Sequence, residues 1–177
     1  MNDKQVTVGA GIPKAMAEAI LKAQTDMPSL KKEDRNAFAK YNVVAFFADV
    51  HPWESYVDLW SNKFRERVMV KASSGHHIGY NMSGNQQEIT EANQRLVSGI
   101  ADGTFTHNGN KVLRRHVMNT RKRFNTWGMT FTKDGRENDK YNDAYAATLL
   151  AFIALSKYLE SGKRPKPKHN GKVHMFR

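Results

Sequence analysis

The chain has 177 residues, enough for one domain with tails, and carries 28 Lys and Arg against 17 Asp and Glu, a formal net charge of +11. The absence of cysteine excludes disulfides and thiolate metal sites and fits a reducing cytosol. The opening MNDKQVTVGAG lacks an apolar signal core, and the longest apolar stretch, residues 144–155, is too short for a bilayer, so a soluble protein with no membrane partner is expected. The charge excess favours a polyanion, nucleic acid first, over a basic surface that serves only solubility, because the cations cluster.

Residues 1–34 read as a loose segment holding one helix at 13–23, where Pro13 stands at a favoured first position. A short helical stretch near residues 32–40 follows. Residues 43–48, VVAFFA, are apolar without alternation, which suits a strand covered on both faces. Residues 52–64 put Trp53, Tyr56, Val57, Trp60 and Phe64 on one helical face. Residues 68–72 suggest a second strand, and the Ser-, Gly-, His- and Asn-rich residues 73–84 a loop. A helix is expected over 86–100 and a short extended piece over 104–107, ending at the turn HNGN. A basic helix is expected over 111–122, a strand over 127–133, and a long buried helix over 142–160. Residues 163–177 form a basic tail with little core-forming content. Strands alternating with helices argue an α/β class.

Two groups of residues stand out. Asp49 ends the apolar strand, where open α/β sheets place functional groups, or else it caps the helix that follows. Asp143 opens the long helix, and Asp139, four residues earlier, would share its face; either acid can equally be a helix-start residue. If the sheet edge holding Asp49 meets that helix start, the carboxylates converge, and like charges then need a cation between them. Hard oxygen ligands of this kind suit Mg²⁺ or Mn²⁺, and a basic protein with such a site suggests phosphodiester cleavage. The second group is cationic: Lys111, Arg114, Arg115, Arg121, Lys122 and Arg123, expected on one helix, suit phosphate contacts or simply a solvated face. His76 and His77 read as loop surface before they read as metal ligands. GAGIPK near the start lacks the spacing of a phosphate loop.

The order of these pieces resembles the nuclease domain of the large terminase subunit of tailed bacteriophages. The resemblance covers about residues 35–162. It rests on ADVHPWESYVDLW, on LVSGIADGTFTHNGNKVLRRHVMN with His107, Gly109, Leu113, His116 and Asn119 in register, on WGMTFTKD, and on KYNDAYAATLLAFIAL. It implies a ribonuclease H-like fold, a central mixed sheet flanked by helices, and two divalent ions that cut concatemeric double-stranded DNA during genome packaging. Carried over by position, Asp49 and Asp143 resemble the catalytic, metal-holding acids, with Asp139 assisting.

The family's first strand normally carries another acid, and no such strand precedes residue 43; Asp3, Asp26 and Asp34 lie in polar or helical surroundings. The expectation is therefore the carboxyl-terminal part of a large terminase, truncated at its amino-terminal side. Its partners would be double-stranded DNA, an ATPase motor chain, a small terminase subunit and a portal. The rival reading is a DNA-binding or packaging module that keeps the fold without the cut.

Overall fold

The computed structural model describes Phe38 and residues 41–51, 54–107, 109–135 and 140–164. The expected helix at 13–23, Asp139 and the tail from residue 165 lie outside the described residues, as does the stretch near 32–40 apart from helical Phe38.

Strand β1 (Ala48–Asp49) is followed by helix α1 (Glu54–Phe64), strand β2 (Gly79–Tyr80) and helices α2 (Gln86–Ala101) and α3 (Lys111–Met118). Strands β3 (Thr120–Asn125) and β4 (Gly128–Lys133) and helix α4 (Asp143–Glu160) complete the order. The class is mixed α/β, as the sequence leads one to expect. Its strands form two separate two-stranded sheets among the described residues, rather than one central mixed sheet. β1 and β2 run parallel, with Ala48 opposite Gly79 and Asp49 opposite Tyr80. β3 and β4 form an antiparallel hairpin closed by Thr126 and Trp127.

The apolar run before Asp49 is covered on both faces, which explains why it does not alternate with polar residues. Successive side chains of an extended chain point to opposite sides. Phe46, Ala48 and Val50 pack with Val57 and Ile78 beneath α1, and Phe47 packs on the other side with Tyr80, Leu96, Leu149 and Leu150. That second cluster is the main core. α4 supplies Tyr145, Leu149, Leu150 and Ile153 to it, each large apolar side chain contributing about 1.5–3 kcal/mol on burial. The far end of α4 is less buried than its apolar sequence suggests, for Leu155 and Leu159 are exposed. No helix among the described residues is long and apolar enough to cross a membrane.

Four local expectations change. The apolar run is extended, but only its last residue, Ala48, joins the ladder with Asp49, because its partner strand is equally short. That partner, β2, lies inside the stretch read as a loop. Residues 68–72 form no strand; Met69 N–H donates to the carbonyl of Val44 at 2.7 Å and Ala72 N–H to that of His77 at 3.1 Å. The basic helix stops at Met118 with Asn119 as its C-cap. Arg121, Lys122 and Arg123 consequently lie on β3, because pairing with β4 outweighs their helical preference.

Candidate functional site

Asp49 stands at the carboxyl end of β1, and by alternation it faces the side of Phe47, the side covered by α4. Its Oδ1 accepts from the backbone N–H of Met82 at 3.3 Å and of His51 at 3.4 Å. These donors lie before α1 and beyond β2, not in the first turn of α1, so Asp49 does not act as that helix's cap. Burial pushes the Asp49 carboxyl above its ordinary range, against the pull of the Met82 and His51 N–H groups and the nearby His51 ring. No Lys or Arg pairs with it among the described residues.

Asp143 is the first residue of α4, after the N-cap Asn142, whose side chain makes no capping bond. Two side chains from the α3 region hold this helix start instead. His116 Nδ1 accepts from Ala144 N–H at 3.1 Å, and Asn119 Nδ2 donates to the carbonyl of Tyr141 at 3.0 Å. Burial lowers the His116 pKa, the Asp143 charge pulls it upward and Arg115 lowers it further. An imidazole that accepts at Nδ1 is neutral there and presents its proton at Nε2. His116 and Asn119 therefore position the segment carrying Asp143.

The loop before them is built to aim α3. His107 Nδ1 accepts from Gly109 N–H at 3.0 Å, and Gly109 takes φ +77, a left-handed conformation that favours glycine. Asn110 then caps α3, its Oδ1 accepting from Val112 N–H at 2.9 Å and Leu113 N–H at 3.1 Å.

Further along the core, Tyr145 Oη donates to Asn93 Oδ1 at 2.6 Å, and Asn93 Nδ2 donates to the carbonyl of Met129 at 3.0 Å, so one polar line ties α4 to α2 and β4. Tyr80, opposite Asp49, donates to Glu88 Oε2 at 2.7 Å, and Glu88 pairs with Lys157 at 3.0 Å. The Lys157 ammonium also lies 5.3 Å from the Tyr80 ring centre. Sequence reading missed this Tyr80, Glu88 and Lys157 group, since the three come from β2, α2 and α4. His76 is neither idle loop surface nor, among the described residues, part of a metal cluster: its Nε2 meets Asp58 Oδ1 at 2.9 Å and its Nδ1 accepts from Ile78 N–H at 3.2 Å, tying β2 to α1.

The cations divide into two sets. Lys111, Arg114 and Arg115 are exposed on α3; Lys122 and Arg123 are exposed on β3. Arg121 is committed elsewhere, with Nη2 2.9 Å from Asp134 Oδ2 and Nη1 donating to the carbonyl of Met118 at 3.1 Å. Among the described residues no group of three or more His, Cys, Asp or Glu could hold a metal ion. Asp49 and Asp143, like the chain's other carboxylates, are hard oxygen donors.

The molecule is thus a basic, mixed α/β protein with two acids at the edges of a shared core. Among known proteins it is similar to the Gene 13 protein of Mycobacterium phage L5, 35% identical over 143 residues that make up 80% of this chain. It is also similar to the Gene 13 protein of Mycobacterium phage D29, 36% identical over 129 residues, 72% of this chain. These relatives support a bacteriophage origin. The chain spans only 23% and 22% of their respective lengths. No family model and no solved structure matches the chain.

Proposed function

We propose that the chain is the nuclease portion of a phage terminase large subunit, of ribonuclease H-like fold, which cleaves double-stranded DNA with Mg²⁺ or Mn²⁺ held by Asp49 and Asp143. The observation that carries this reading is Asp49 itself. It is a half-buried acid on a two-side-covered strand, in a protein of net charge +11, and it has no Lys or Arg partner among the described residues. A carboxylate kept desolvated and unpaired is suited to a cation that arrives from solution. The donor chemistry of the two acids fits a hard divalent ion, and Asp139, outside the described residues, remains a candidate third.

The roles of the chain's own groups follow from their surroundings. Met82 and His51 N–H groups orient Asp49; His116 and Asn119 hold the start of α4, and with it Asp143. Lys111, Arg114, Arg115, Lys122 and Arg123 would grip phosphates, an attraction that weakens with salt. When bound, divalent ions would supply charge neutralisation at the scissile phosphate and activation of water. The greater length of the phage relatives is consistent with a motor encoded outside the part that this chain matches. The motor, a small subunit and a portal would be its partners in the host cytoplasm.

One observation favours the second reading, a DNA-binding module without cleavage: among the described residues no group of three or more His, Cys, Asp or Glu could hold a metal ion, around Asp49 or Asp143 or elsewhere. Nicking of supercoiled plasmid by the purified chain separates the two. The nuclease reading expects cleavage in Mg²⁺ or Mn²⁺, none with chelator, and loss in both Asp49→Asn and Asp143→Asn. Folded protein that binds DNA yet never nicks it in either metal would leave the binding module.

A further inference from the structure

We propose that the β3–β4 hairpin is a docking surface for unpaired DNA bases, with Phe124 and Trp127 stacking on the bases and Lys122 and Arg123 meeting the adjoining phosphates. This rests on the DNA-binding part of the proposed function and not on cleavage.

Phe124 is 69% exposed and Trp127 is 49% exposed, on the strand end and turn of one hairpin. Phe38, Phe46, Phe47, Phe105 and Phe131 each pack against another ring, whereas neither Phe124 nor Trp127 does among the described residues. Among the described residues β3 pairs only with β4, and no other described strand lies on its second edge. Lys and Arg on an open edge guard against unwanted strand pairing, which would account for Lys122 and Arg123 alone. An exposed phenylalanine beside them works against such a guard. Cations interleaved with aromatic faces are instead the arrangement that tracks a single nucleic-acid strand, charge to backbone and ring to base.

The charges are available. Arg121 is held by Asp134, while Lys122 and Arg123 have no carboxylate partner among the described residues. Strand alternation puts Lys122 and Phe124 on one face, about 7 Å apart along the strand, close enough to serve a base and its own phosphate, and puts exposed Arg123 on the other face, so the two cations flank the strand.

The hairpin tip is also held in place. Asn125 Nδ2 donates to Thr90 Oγ1 at 2.9 Å, Asn125 Oδ1 accepts from Trp127 N–H at 3.0 Å, and Gln94 Nε2 donates to the carbonyl of Trp127 at 3.5 Å. Gly128 follows at φ +121, where any side chain would also strike Gln94. Trp127 consequently stands at the rim of an open depression of about 640 Å³, next to Gln86 and Gln87 at the start of α2.

The base must be unpaired. In a duplex each base is already stacked on both faces, so an aromatic ring finds no open face; a melted or frayed segment offers one.

The test is fluorescence anisotropy of the full chain with chelator present, so that no cleavage intervenes. The probes are a labelled single strand of about 16 nucleotides and its duplex. Phe124→Ser and Trp127→Ser should each weaken single-strand binding by roughly 5- to 100-fold, leaving duplex binding within about twofold and the salt slope unchanged. Lys122→Gln and Arg123→Gln should each reduce the salt slope by about 0.7–0.9 on both probes. Both aromatic positions are exposed, so melting curves should match the parent. Equal losses on both probes, or no loss on the single strand, would overturn the inference. Failure of the parent to bind either probe would overturn it together with the DNA-binding reading, whereas a chain that binds but does not nick leaves it standing.

Discussion

Tyr145→Phe tests how the start of α4 is anchored. Tyr145 is 4% exposed and Asn93 is 1% exposed, and they share a 2.6 Å hydrogen bond. Deleting the hydroxyl leaves Asn93 Oδ1 as a buried acceptor with nothing to accept, since its amide is already used on the carbonyl of Met129. A buried polar atom stranded in this way costs about 1–3 kcal/mol. For a domain of this size that corresponds to a fall in melting temperature of roughly 2–12 °C. Asn93→Ala and the double variant complete a cycle, and the coupling between the two sites should be about 0.5–3 kcal/mol. The pH dependence gives a second check. Burial pushes the Tyr145 pKa up to about 12 from 10.0, so the folded state holds this proton longer than the unfolded chain. The associated stability is complete below pH 10 and is lost as pH rises towards 12. Burial and Glu88 raise Tyr80 in the same direction, so the comparison of parent with Tyr145→Phe is what isolates Tyr145. Thermal unfolding from pH 7 to 11 measures both effects. A variant as stable as the parent at neutral pH, with zero coupling in the cycle, would refute the buried bond.

Asp49→Asn should stabilise the chain in chelator, because the half-buried charge disappears while Oδ1 still accepts from Met82 and His51. Adding Mn²⁺ at about a hundredfold over its dissociation constant should raise parent stability by roughly 2.7 kcal/mol and leave Asp49→Asn unmoved, as followed by differential scanning fluorimetry. An Asn variant that is less stable than the parent in chelator would remove the argument from a desolvated carboxylate. His116→Ala should cost about 1 kcal/mol through loss of the acceptor on Ala144 N–H, with His116→Gln, which keeps an acceptor, losing less. Equal melting temperatures for parent and His116→Ala would show that His116 does not hold the helix start.

The long elements were legible because they carry their own period. α2 and α4 begin and end within two residues of where spacing and caps put them, each being long enough for the 3.6-residue signal to dominate. β2 was not legible. Its two residues sit in a Gly-, Ser- and His-rich stretch, and Gly79 is required by close approach: an added Cβ would lie 2.8 Å from His76 and from Val50. A strand specified by what its neighbours leave room for has no β-branched signature of its own. The end of α3 was misplaced for a related reason. Residues 111–122 read as continuous helix, but Thr120, Arg121, Lys122 and Phe124 each find a partner on β4, a long-range fact that local propensity does not contain. This also separated Arg121 from the other candidate cations, since Asp134, its partner, lies across the hairpin. Phe124 and Trp127 drew no functional reading from the sequence, because their exposure is set by the hairpin and not by local pattern.

Comparison of the acids with one another gives Asp49 its weight. Among the described residues some acids acquire a cation: Asp134 has Arg121 and Lys140, Glu66 has Arg65, and Glu88 has Lys157. Asp58 has His76. Asp134 and Glu88 lie on or beside elements that expose polar surface, where an ion pair changes stability by little in either direction. Asp49 has the greater need, being half-buried with its pKa raised, and receives only backbone N–H groups. Those donors fix the direction of the carboxylate without neutralising its charge. A Lys or Arg in the same place would neutralise it and also block the approach of a hard cation. The arrangement therefore gives up some stability and keeps an oriented anion without a Lys or Arg partner at the carboxyl end of β1, the condition that the proposed metal-dependent site would require.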